Sequence, residues 1–375
     1  MDDRLKRTLH RRLSRRAAVS TGTLLTVGVL PGSTSIARTQ DSATPVATPT
    51  TPTKGQGMLT DVPGFLVGHA TMETAITGCT VILCPPGTTA GVEVLGGWPA
   101  TREMAILSPL SSSPFIHAIF FTGRSVYGLA AADGVVRWIE ENRGEIPQVP
   151  GVVINDLAMG NAGRRPGPEE GYVACQEAAS TFVRGSVGAG TGATVGKGRG
   201  AGTWMKGGIE SASRAFGDGG VVAALAVVNA VGDIIDRNGR IIAGAHDPDG
   251  RHIDFAGYVT DRPLWPNEET GSNTTLVAVA TNARLTKTQC AIVAHMAQSG
   301  FSRAISPIFT PWDGDTVVVA SSGSIEASDF AVGVLAAEVV ADSIRDAVRQ
   351  ATSLAGVPDL TTPGTRSLDD PAWSQ

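Results

Sequence analysis

A threonine stands where the chain changes from polar to apolar, within the run NEETGSNTTLVAVATNA from Asn267 to Ala283. The polar residues up to Asn273 predict an exposed loop, and Leu276–Thr281 predicts a buried strand. The hydroxyl of Thr274 therefore lies at the junction between the two. A threonine hydroxyl is a weak nucleophile until a base removes its proton, so the first question is which base could do so.

The α-amine of Thr274 would be such a base if the chain were cut immediately before this residue. A terminal amine has a pKa of about 7.7–8.0 in peptides, so a useful share of it is neutral near physiological pH. The Thr274 hydroxyl would attack the Asn273 carbonyl, and water would then release the resulting ester. The same residues also fit an ordinary strand start, so the local sequence leaves both interpretations open.

A glycine-rich segment from Gly185 to Gly208 raises the question of nucleotide binding. The phosphate-loop pattern fails, because Gly198 stands where Ser or Thr must follow the lysine. The relaxed dinucleotide pattern is present, but so many glycines disfavour the helix that it requires. We therefore expect tight turns that deliver Lys197 to a site. A nucleotide-binding protein using Gly188–Lys197 remains an alternative, as does a non-catalytic exported binding protein.

The composition favours a globular protein with a small-molecule partner. The chain has 375 residues, of which 42% are hydrophobic, and its formal net charge is −5. This balance offers no basic surface for nucleic acid or an anionic membrane. The histidines show no metal-ligand spacing, so we predict neither a metal nor a cofactor. All four cysteines lie in apolar runs and are predicted to be unpaired core residues: Cys79, Cys84, Cys175 and Cys290.

The N-terminal residues differ from the rest of the chain. A basic stretch, MDDRLKRTLHRRLSRR, precedes a short and weakly apolar segment, which is typical of a signal peptide. The Ser14-Arg15-Arg16 triplet resembles a twin-arginine export signal. We therefore predict a signal peptide over residues 1–37, a disordered Thr/Pro linker over 38–57, a single catalytic domain over 58–375, and export to the periplasm or the cell exterior.

Apolar runs along the chain alternate with segments of helical periodicity, which predicts an α/β protein with helices covering its sheets. Several of the strand-like runs are continuously apolar, as in strands buried on both faces. The predicted strands are Val62–His69, Thr80–Leu83, His117–Phe121, Val221–Val228, Leu276–Thr281 and Thr316–Ala320. The predicted helices are Ser125–Asn142, Glu169–Val183, Thr286–Ser299 and Asp329–Ala351.

Six motifs in this order resemble the P1 (DmpA-type) peptidase family of self-processing aminopeptidases, which includes nylon-oligomer hydrolases. They are DVPGFLVGHAT, FFTGRSVYGLAAADGVVRWIEE, GYVACQEA, GAGTGATVGK, AVVNAVGD and GSNTTLVAVATNARL. The resemblance implies an αββα sandwich of the N-terminal nucleophile hydrolase type. It also implies self-cleavage between Asn273 and Thr274 into an α chain (58–273) and a β chain (274–375), and a homo-oligomer of α/β heterodimers.

The resemblance also assigns roles to individual residues. Thr274 is the nucleophile, and the Asn229 side chain is a donor to the oxyanion. Lys197 orients or polarises the nucleophile, while Asp313 and Asp315 bind an amine and shape the proton relay. From the residues alone, the aspartates could instead cap a turn, and the lysine could be a surface charge.

Two positions bear on the substrate that the resemblance implies. The combination of a threonine nucleophile with Asp313-Gly-Asp315 resembles the nylon-oligomer branch, whereas serine members often have Ser-x-Glu there. Asn155 stands where relatives commonly carry an aromatic residue. The implied function is an autoprocessing amidohydrolase that cleaves linear amides through an acyl-Thr274 intermediate. Its substrates would be short peptides, amino-acid amides or esters, β-amino peptides, or oligomers such as those of 6-aminohexanoate.

Overall fold

The computed structural model describes residues 57–200, 202–247, 249–253, 255–260, 262 and 273–362. The predicted signal peptide lies outside the described residues, as do the predicted linker up to residue 56 and residues 263–272 of the predicted loop. Among the described helices, none combines the length and the apolar character that crossing a membrane requires.

Short strands and a few helices alternate along the described chain. The strands are β1 (Leu66–Met72), β2 (Thr77–Leu83), β3 (Thr89–Val94), β4 (Thr101–Arg102), β5 (Ala118–Thr122), β6 (Gly151–Val153), β7 (Thr194–Val195), β8 (Met205–Lys206), β9 (Ile209–Phe216), β10 (Gly220–Asn229), β11 (Asp233–Ile235), β12 (Ile241–Ala243), β13 (Thr274–Ala283), β14 (Ile305–Ser306) and β15 (Thr316–Ile325). The helices are α1 (Ala132–Arg143), α2 (Pro168–Gln176), α3 (Phe255–Thr260), α4 (Lys287–Ala297), α5 (Ser299–Ala304) and α6 (Asp329–Gln350).

Two five-stranded sheets form the centre of the fold. The first has the order β1-β2-β5-β6-β4, and the second has the order β3-β15-β13-β10-β9. In the second sheet β13 pairs in parallel with β15 and antiparallel with β10. That antiparallel register sets Asn229, the last residue of β10, opposite Thr274, the first residue of β13. The sheet therefore brings two of the predicted site residues together at the paired ends of two interior strands.

The apolar side chains form three layers around these sheets. Ile82 and Phe121 of the first sheet share one buried cluster with Leu276 of the second, so the two sheets face each other. Alternate residues of the same strands point the other way, as strand geometry requires. On the first sheet they pack with α1 and α2, and on the second with α4, α5 and α6. The predicted αββα sandwich is confirmed.

Every predicted strand overlaps an observed one, and burial on both faces explains why the sequence revealed them. All ten residues of β13 are buried, because one face meets the first sheet and the other meets helices. In the second sheet, the two strands absent from the prediction are β3 and β9, which lie at its edges. Edge strands tolerate the polar residues that interrupt their apolar pattern.

Two predicted helices are shorter than expected. The one expected over Ser125–Asn142 starts as a 3-10 helix over Ser125–Ala131 and becomes α-helical at Ala132. The one expected over Glu169–Val183 ends at Gln176. There the backbone of Ala179 pairs with Val67 of β1, so strand pairing replaces the helical hydrogen bonds. The four cysteines are buried and unpaired, as predicted.

The glycine-rich segment folds into tight turns. Gly188–Gly190 and Lys197–Arg199 are short 3-10 turns, and no α-helix starts within the described residues from 185 to 200. The helix that a dinucleotide site needs is therefore missing from that part of the segment. Gly196 has a φ of +71°, a left-handed conformation that favours glycine, and it turns the chain so that Lys197 points into the protein.

Candidate active site

The Thr274 hydroxyl lies against the peptide bond that precedes it. Thr274 is 4% exposed, and its Oγ1 donates a hydrogen bond to the carbonyl oxygen of Asn273. Asn273 is buried, and its N–H donates to the Trp312 carbonyl at 2.8 Å. The predicted junction between an exposed loop and a buried strand is thus a buried peptide bond with a hydroxyl beside it.

The loop between Trp312 and Asp315 holds the same peptide bond from the other side. The N–H of Gly314 donates to the Asn273 carbonyl oxygen at 2.8 Å. A Cβ on Gly314 would lie 2.7 Å from Thr274 Oγ1, so only glycine leaves room for the hydroxyl. The carbonyl therefore has a backbone donor in place where negative charge would develop during an attack on its carbon.

Lys197 and Asn229 form a buried pair next to the start of β13. The Lys197 Nζ donates to the Asn229 side-chain oxygen at 2.6 Å and to its backbone carbonyl at 3.0 Å. The N–H of Thr194 donates to the same side-chain oxygen at 3.1 Å. The amide nitrogen of Asn229 then points the other way and donates to the Asn155 carbonyl at 3.1 Å. These partners fix the orientation of the Asn229 amide.

Burial lowers the pKa of Lys197 from 10.5 to about 7, and the nearby carboxyl of Asp313 opposes this effect only in part. The side chain is 4% exposed, so the alternative interpretation of a surface charge is wrong. At neutral pH a substantial share of the amine is uncharged. Lys197 is therefore able both to accept a proton and to return it.

Asp315 lies next to the start of β13, the strand that begins with Thr274. One of its carboxyl oxygens accepts the N–H of Thr275 at 2.6 Å, and the other accepts the N–H of Phe309 at 3.2 Å. Burial raises its pKa well above the ordinary value, and the neighbouring Asp313 raises it further. The carboxyl is thus held in a fixed position and resists ionisation.

Asp313 caps a turn and also lies beside Asn273, the residue before Thr274. It accepts hydrogen bonds from both the backbone N–H and the hydroxyl of Thr310, so it caps that turn, as one interpretation of the sequence expected. Its other oxygen accepts the N–H of Val231 at 3.4 Å. Burial raises its pKa, and the hydrogen bonds and Lys197 oppose that rise. Burial therefore disfavours the charged forms of both aspartates.

A cavity of about 370 Å³ opens beside Thr274. This volume lies within the range of about 300–1,000 Å³ that small-molecule sites occupy. Asn155, at the position where relatives commonly carry an aromatic residue, contributes to its wall. The lining residues are Trp98, Pro99, Ala100, Thr101, Ser125, Val126, Leu129, Val153, Asn155 and Thr274. The nucleophile candidate thus faces a space that could hold a substrate.

A buried ion pair that the sequence did not reveal supports one wall of this cavity. The N–H of Arg124 donates to a carboxyl oxygen of Asp156 at 2.7 Å, and its guanidinium donates to the Asp156 backbone carbonyl at 2.7 Å. Arg124 and Ser125 both have left-handed backbones, with φ of 65° and 53°. Such conformations persist only where the surroundings impose them, and here they turn Ser125 into the cavity wall.

Replacing Arg124 by methionine is expected to destabilise the fold by about 3–5 kcal/mol, because the buried Asp156 carboxyl would lose its counter-charge. Urea unfolding measured on a Thr274→Ala background, in which no cleavage is expected, would give the free energy of unfolding. Arg284→Ala, which breaks an exposed pair with Glu326, should cost less than about 1 kcal/mol. Equal effects of the two substitutions would contradict a supporting role for the buried pair.

Lys206 is a second buried lysine that sequence reasoning missed. Its Nζ donates to the carbonyl oxygens of Thr191 and Ala193, both at 2.8 Å. Burial lowers its pKa to about 7. These contacts hold the turn that presents the Thr194 N–H to Asn229. A lysine between apolar and glycine residues, in WMKGG, was the available signal.

The structure brings together all five residues that the resemblance assigned to the site. Thr274 and Asn229 face each other across two strands, Lys197 contacts Asn229, and Asp313 and Asp315 adjoin the same strand start. Within the described residues, no cluster of three or more potential metal ligands occurs.

Comparisons with known proteins identify relatives of this chain. The model for peptidase family S58 matches residues 57–361. An uncharacterized aminopeptidase of Mycobacterium leprae is 38% identical over 348 residues, covering 80% of this chain and 92% of its own. A 6-aminohexanoate-oligomer endohydrolase of Paenarthrobacter ureafaciens is 30% identical over 312 residues, covering 76% of this chain and 84% of its own.

Solved structures share the fold. A Burkholderia sp. beta-aminopeptidase superposes with a TM-score of 0.63 at 24% identity, over 84% of this chain and 92% of that one. The L-aminopeptidase D-Ala-esterase/amidase of Ochrobactrum anthropi, described as a variant of the Ntn hydrolase fold, gives 0.60 at 20% identity, over 84% of this chain and 91% of that one. The family resemblance seen in the motifs is confirmed, and the chain belongs to peptidase family S58.

Proposed function

We propose that this amide-bond hydrolase processes itself and that Thr274 is its nucleophile, freed by cleavage of the Asn273–Thr274 bond. One observation carries the proposal. The Thr274 hydroxyl contacts the Asn273 carbonyl, whose oxygen also accepts the Gly314 N–H at 2.8 Å. A nucleophile and an oxyanion donor thus meet at a single peptide bond.

In the proposed cleavage, Thr274 Oγ1 attacks the Asn273 carbonyl carbon while its proton passes to a base. Lys197 is the candidate base, because its pKa is lowered to about 7 and it lies beside Asn229, opposite Thr274. The C–N bond of the tetrahedral intermediate breaks, and its nitrogen takes up a proton. This leaves Asn273 as an ester on Thr274. Water then hydrolyses the ester, which leaves a carboxylate on Asn273 and a free α-amine on Thr274.

The free amine of Thr274 would then act as the base for turnover. A substrate amide placed in the adjoining cavity would acylate the Thr274 hydroxyl and release its amine portion, and water would release its acyl portion. The Asn229 side-chain amide, held by Lys197 and Thr194, would stabilise the oxyanion of both steps. The proposed substrates are linear amides, from short peptides and amino-acid amides to 6-aminohexanoate oligomers, as the names of the relatives suggest.

Export by a twin-arginine signal and assembly of α/β units into a homo-oligomer are further parts of the proposal. The basic N-terminal stretch supports export. Three exposed apolar side chains on the neighbouring helices α4 and α6 support assembly: Ile292, Phe330 and Val334. A mass measurement of the native particle would test assembly, and a monomeric α/β unit would contradict it.

Intact-mass analysis with N-terminal sequencing of fresh protein tests the central proposal. The wild type is expected to give two chains, the smaller running from Thr274 to Gln375. A Thr274→Ala variant is expected to remain whole and to hydrolyse no amide, because the hydroxyl is gone. A wild-type chain that stays uncut after prolonged incubation would refute self-processing.

A further inference from the structure

A second cavity lies where the hairpin of β11 and β12 meets α5 and α6. Its volume is about 450 Å³, and none of its described lining residues also lines the cavity beside Thr274. Ile235 and Ala341 give it apolar surface. Its charged side chains come from the hairpin turn, α5 and α6: Asp236, Arg237, Arg303, Glu338 and Arg345.

The guanidinium of Arg345 is buried in the wall of this second cavity and is held by two backbone carbonyls. Arg345 is 5% exposed. Its Nε donates to the Ile235 carbonyl at 2.9 Å, and its Nη2 donates to the Arg303 carbonyl. The third nitrogen, Nη1, lies 3.7 Å from a carboxyl oxygen of Asp342, which is longer than a hydrogen bond. The guanidinium is thus fixed in place mainly by neutral partners.

The α6 carboxyls in this region already have other arginine partners. Asp342 accepts a hydrogen bond from Arg214 at 2.6 Å on one oxygen and from Arg237 at 2.8 Å on the other. Glu338 accepts a hydrogen bond from Arg303. A buried charge is costly unless an opposite charge and hydrogen bonds compensate it. A carboxylate in the cavity would supply both to the buried guanidinium, whose planar N–H groups match two carboxylate oxygens.

Asp236 supplies a fixed carboxylate to the same cavity. Its Oδ1 accepts the N–H groups of Asn238 at 2.7 Å and Arg240 at 2.9 Å, which holds it in the hairpin turn. Burial lowers the pKa of Arg345, and Asp236 is among the groups that oppose this fall, so the two charges lie close enough to interact. Within the described residues, the two form no direct ion pair. A ligand with both charges could bridge them.

We propose that the second cavity binds a zwitterionic amino carboxylate of about the size of a free amino acid, with its carboxylate on Arg345 and its ammonium group on Asp236. The volume of about 450 Å³ lies within the range that small-molecule sites occupy. Ile235 and Ala341 offer apolar contact to the side chain of such a ligand. Hydrolysis of peptide amides releases molecules of this class. The inference concerns a separate site and does not require Thr274 to be the nucleophile.

Isothermal titration calorimetry tests the proposal with L-leucine and two analogues of matched shape. The first analogue, 4-methylpentanoate, lacks the amine, and the second, 3-methylbutylamine, lacks the carboxylate. L-Leucine is expected to bind at least about tenfold more tightly than either, because each analogue loses one charged hydrogen-bonding group. Equal binding of L-leucine and 4-methylpentanoate, or no binding of L-leucine, would overturn the proposal.

The Thr274→Ala variant separates the two cavities. It is expected to bind L-leucine as the wild type does, because the second cavity has no described lining residue in common with the cavity beside Thr274. Loss of binding in this variant would place the ligand in the cavity beside Thr274 and would overturn the proposal. Equal binding together with a failure of self-cleavage in the wild type would leave the second site intact and refute only the proposed function.

Asp236→Asn removes the charge of the aspartate and keeps an oxygen for the turn. It is expected to weaken L-leucine binding by at least about tenfold and to leave 4-methylpentanoate binding unchanged. The matched control is Asp247→Asn, because Asp247 Oδ1 accepts the N–H groups of Asp249 at 3.0 Å and Arg251 at 2.8 Å in a turn of the same spacing. Asp247 does not line the second cavity. The same loss in both variants, or in neither, would contradict the role of Asp236.

Arg345→Lys tests the carboxylate position. Lysine keeps the positive charge but lacks the planar fork of arginine, so L-leucine and 4-methylpentanoate are both expected to bind at least about tenfold more weakly. Urea unfolding beside the wild type shows whether the variant is folded. A folded variant that bound both compounds as tightly as the wild type would exclude Arg345 as the carboxylate partner.

Discussion

Replacing Lys197 by methionine is expected to slow both self-cleavage and amide turnover by about 10²–10⁴-fold. The buried amine is the candidate base for self-cleavage, and it donates to the side-chain oxygen of Asn229 at 2.6 Å. Methionine has a similar length but neither accepts the proton nor donates to Asn229. A loss of this size matches what positioned proton transfer contributes in enzymes. The measurement is the rate of chain cleavage by intact mass, followed by turnover of a linear amide.

The control is the same substitution at Lys287. That lysine also uses its amine to bind backbone carbonyls, including Ser113 at 2.9 Å, but it has no contact with Asn229 or Thr274. Lys287→Met is expected to cleave at the wild-type rate. If Lys197→Met cleaved as fast as this control, the base for self-cleavage would have to be another group.

The same substitution should change how stability depends on pH. Folding lowers the pKa of Lys197 from 10.5 to about 7. Between these values the unfolded chain binds more protons at this residue than the folded chain does, so the contribution of Lys197 to the free energy of unfolding rises with pH across that window. Lys197→Met removes this contribution, while that of Lys206, whose pKa is lowered in the same way, remains. Urea unfolding at several pH values, on a Thr274→Ala background, should show a shallower rise.

The sequence predicted those parts of the fold that show a clear local pattern of apolar residues. Strands β10 and β13 are buried on both faces, so their residues are continuously apolar and easy to recognise. Thr274 stood out because it interrupts such a pattern at its start. The family resemblance then supplied the roles of Asn229, Asp313 and Asp315, which no local pattern indicates.

The parts that escaped prediction depend on residues that are distant in sequence. Arg124 pairs with Asp156, and Lys206 binds carbonyls of a turn that lies before it in the chain. Apart from the apolar and glycine neighbours of Lys206 in WMKGG, the local sequence does not distinguish these buried charges from surface ones, because their burial follows from the packing of the two sheets. The lowered pKa of Lys197 has the same origin, since burial is its main cause.

Replacing Gly314 by alanine is expected to slow self-cleavage by at least about 10²-fold and to leave the fold intact. The new Cβ would lie 2.7 Å from Thr274 Oγ1 and 3.0 Å from the Trp98 carbonyl. One of these two groups must move, and a displacement of about 1 Å at a reacting atom can cost a factor of about 100. The backbone itself tolerates the change, because Gly314 is not among the glycines with positive φ.

Gly163→Ala provides the comparison that isolates this contact. Gly163 also lacks a positive φ, and its nearest neighbour is the side chain of Asn161 at 3.2 Å from the new Cβ. Its cleavage rate should match the wild type. Gly314→Ala that cleaved equally fast would mean that the Thr274 hydroxyl attacks from a position that the new Cβ does not obstruct. Slow cleavage with an unchanged free energy of unfolding would instead show that Gly314 is required because it leaves room for the Thr274 hydroxyl.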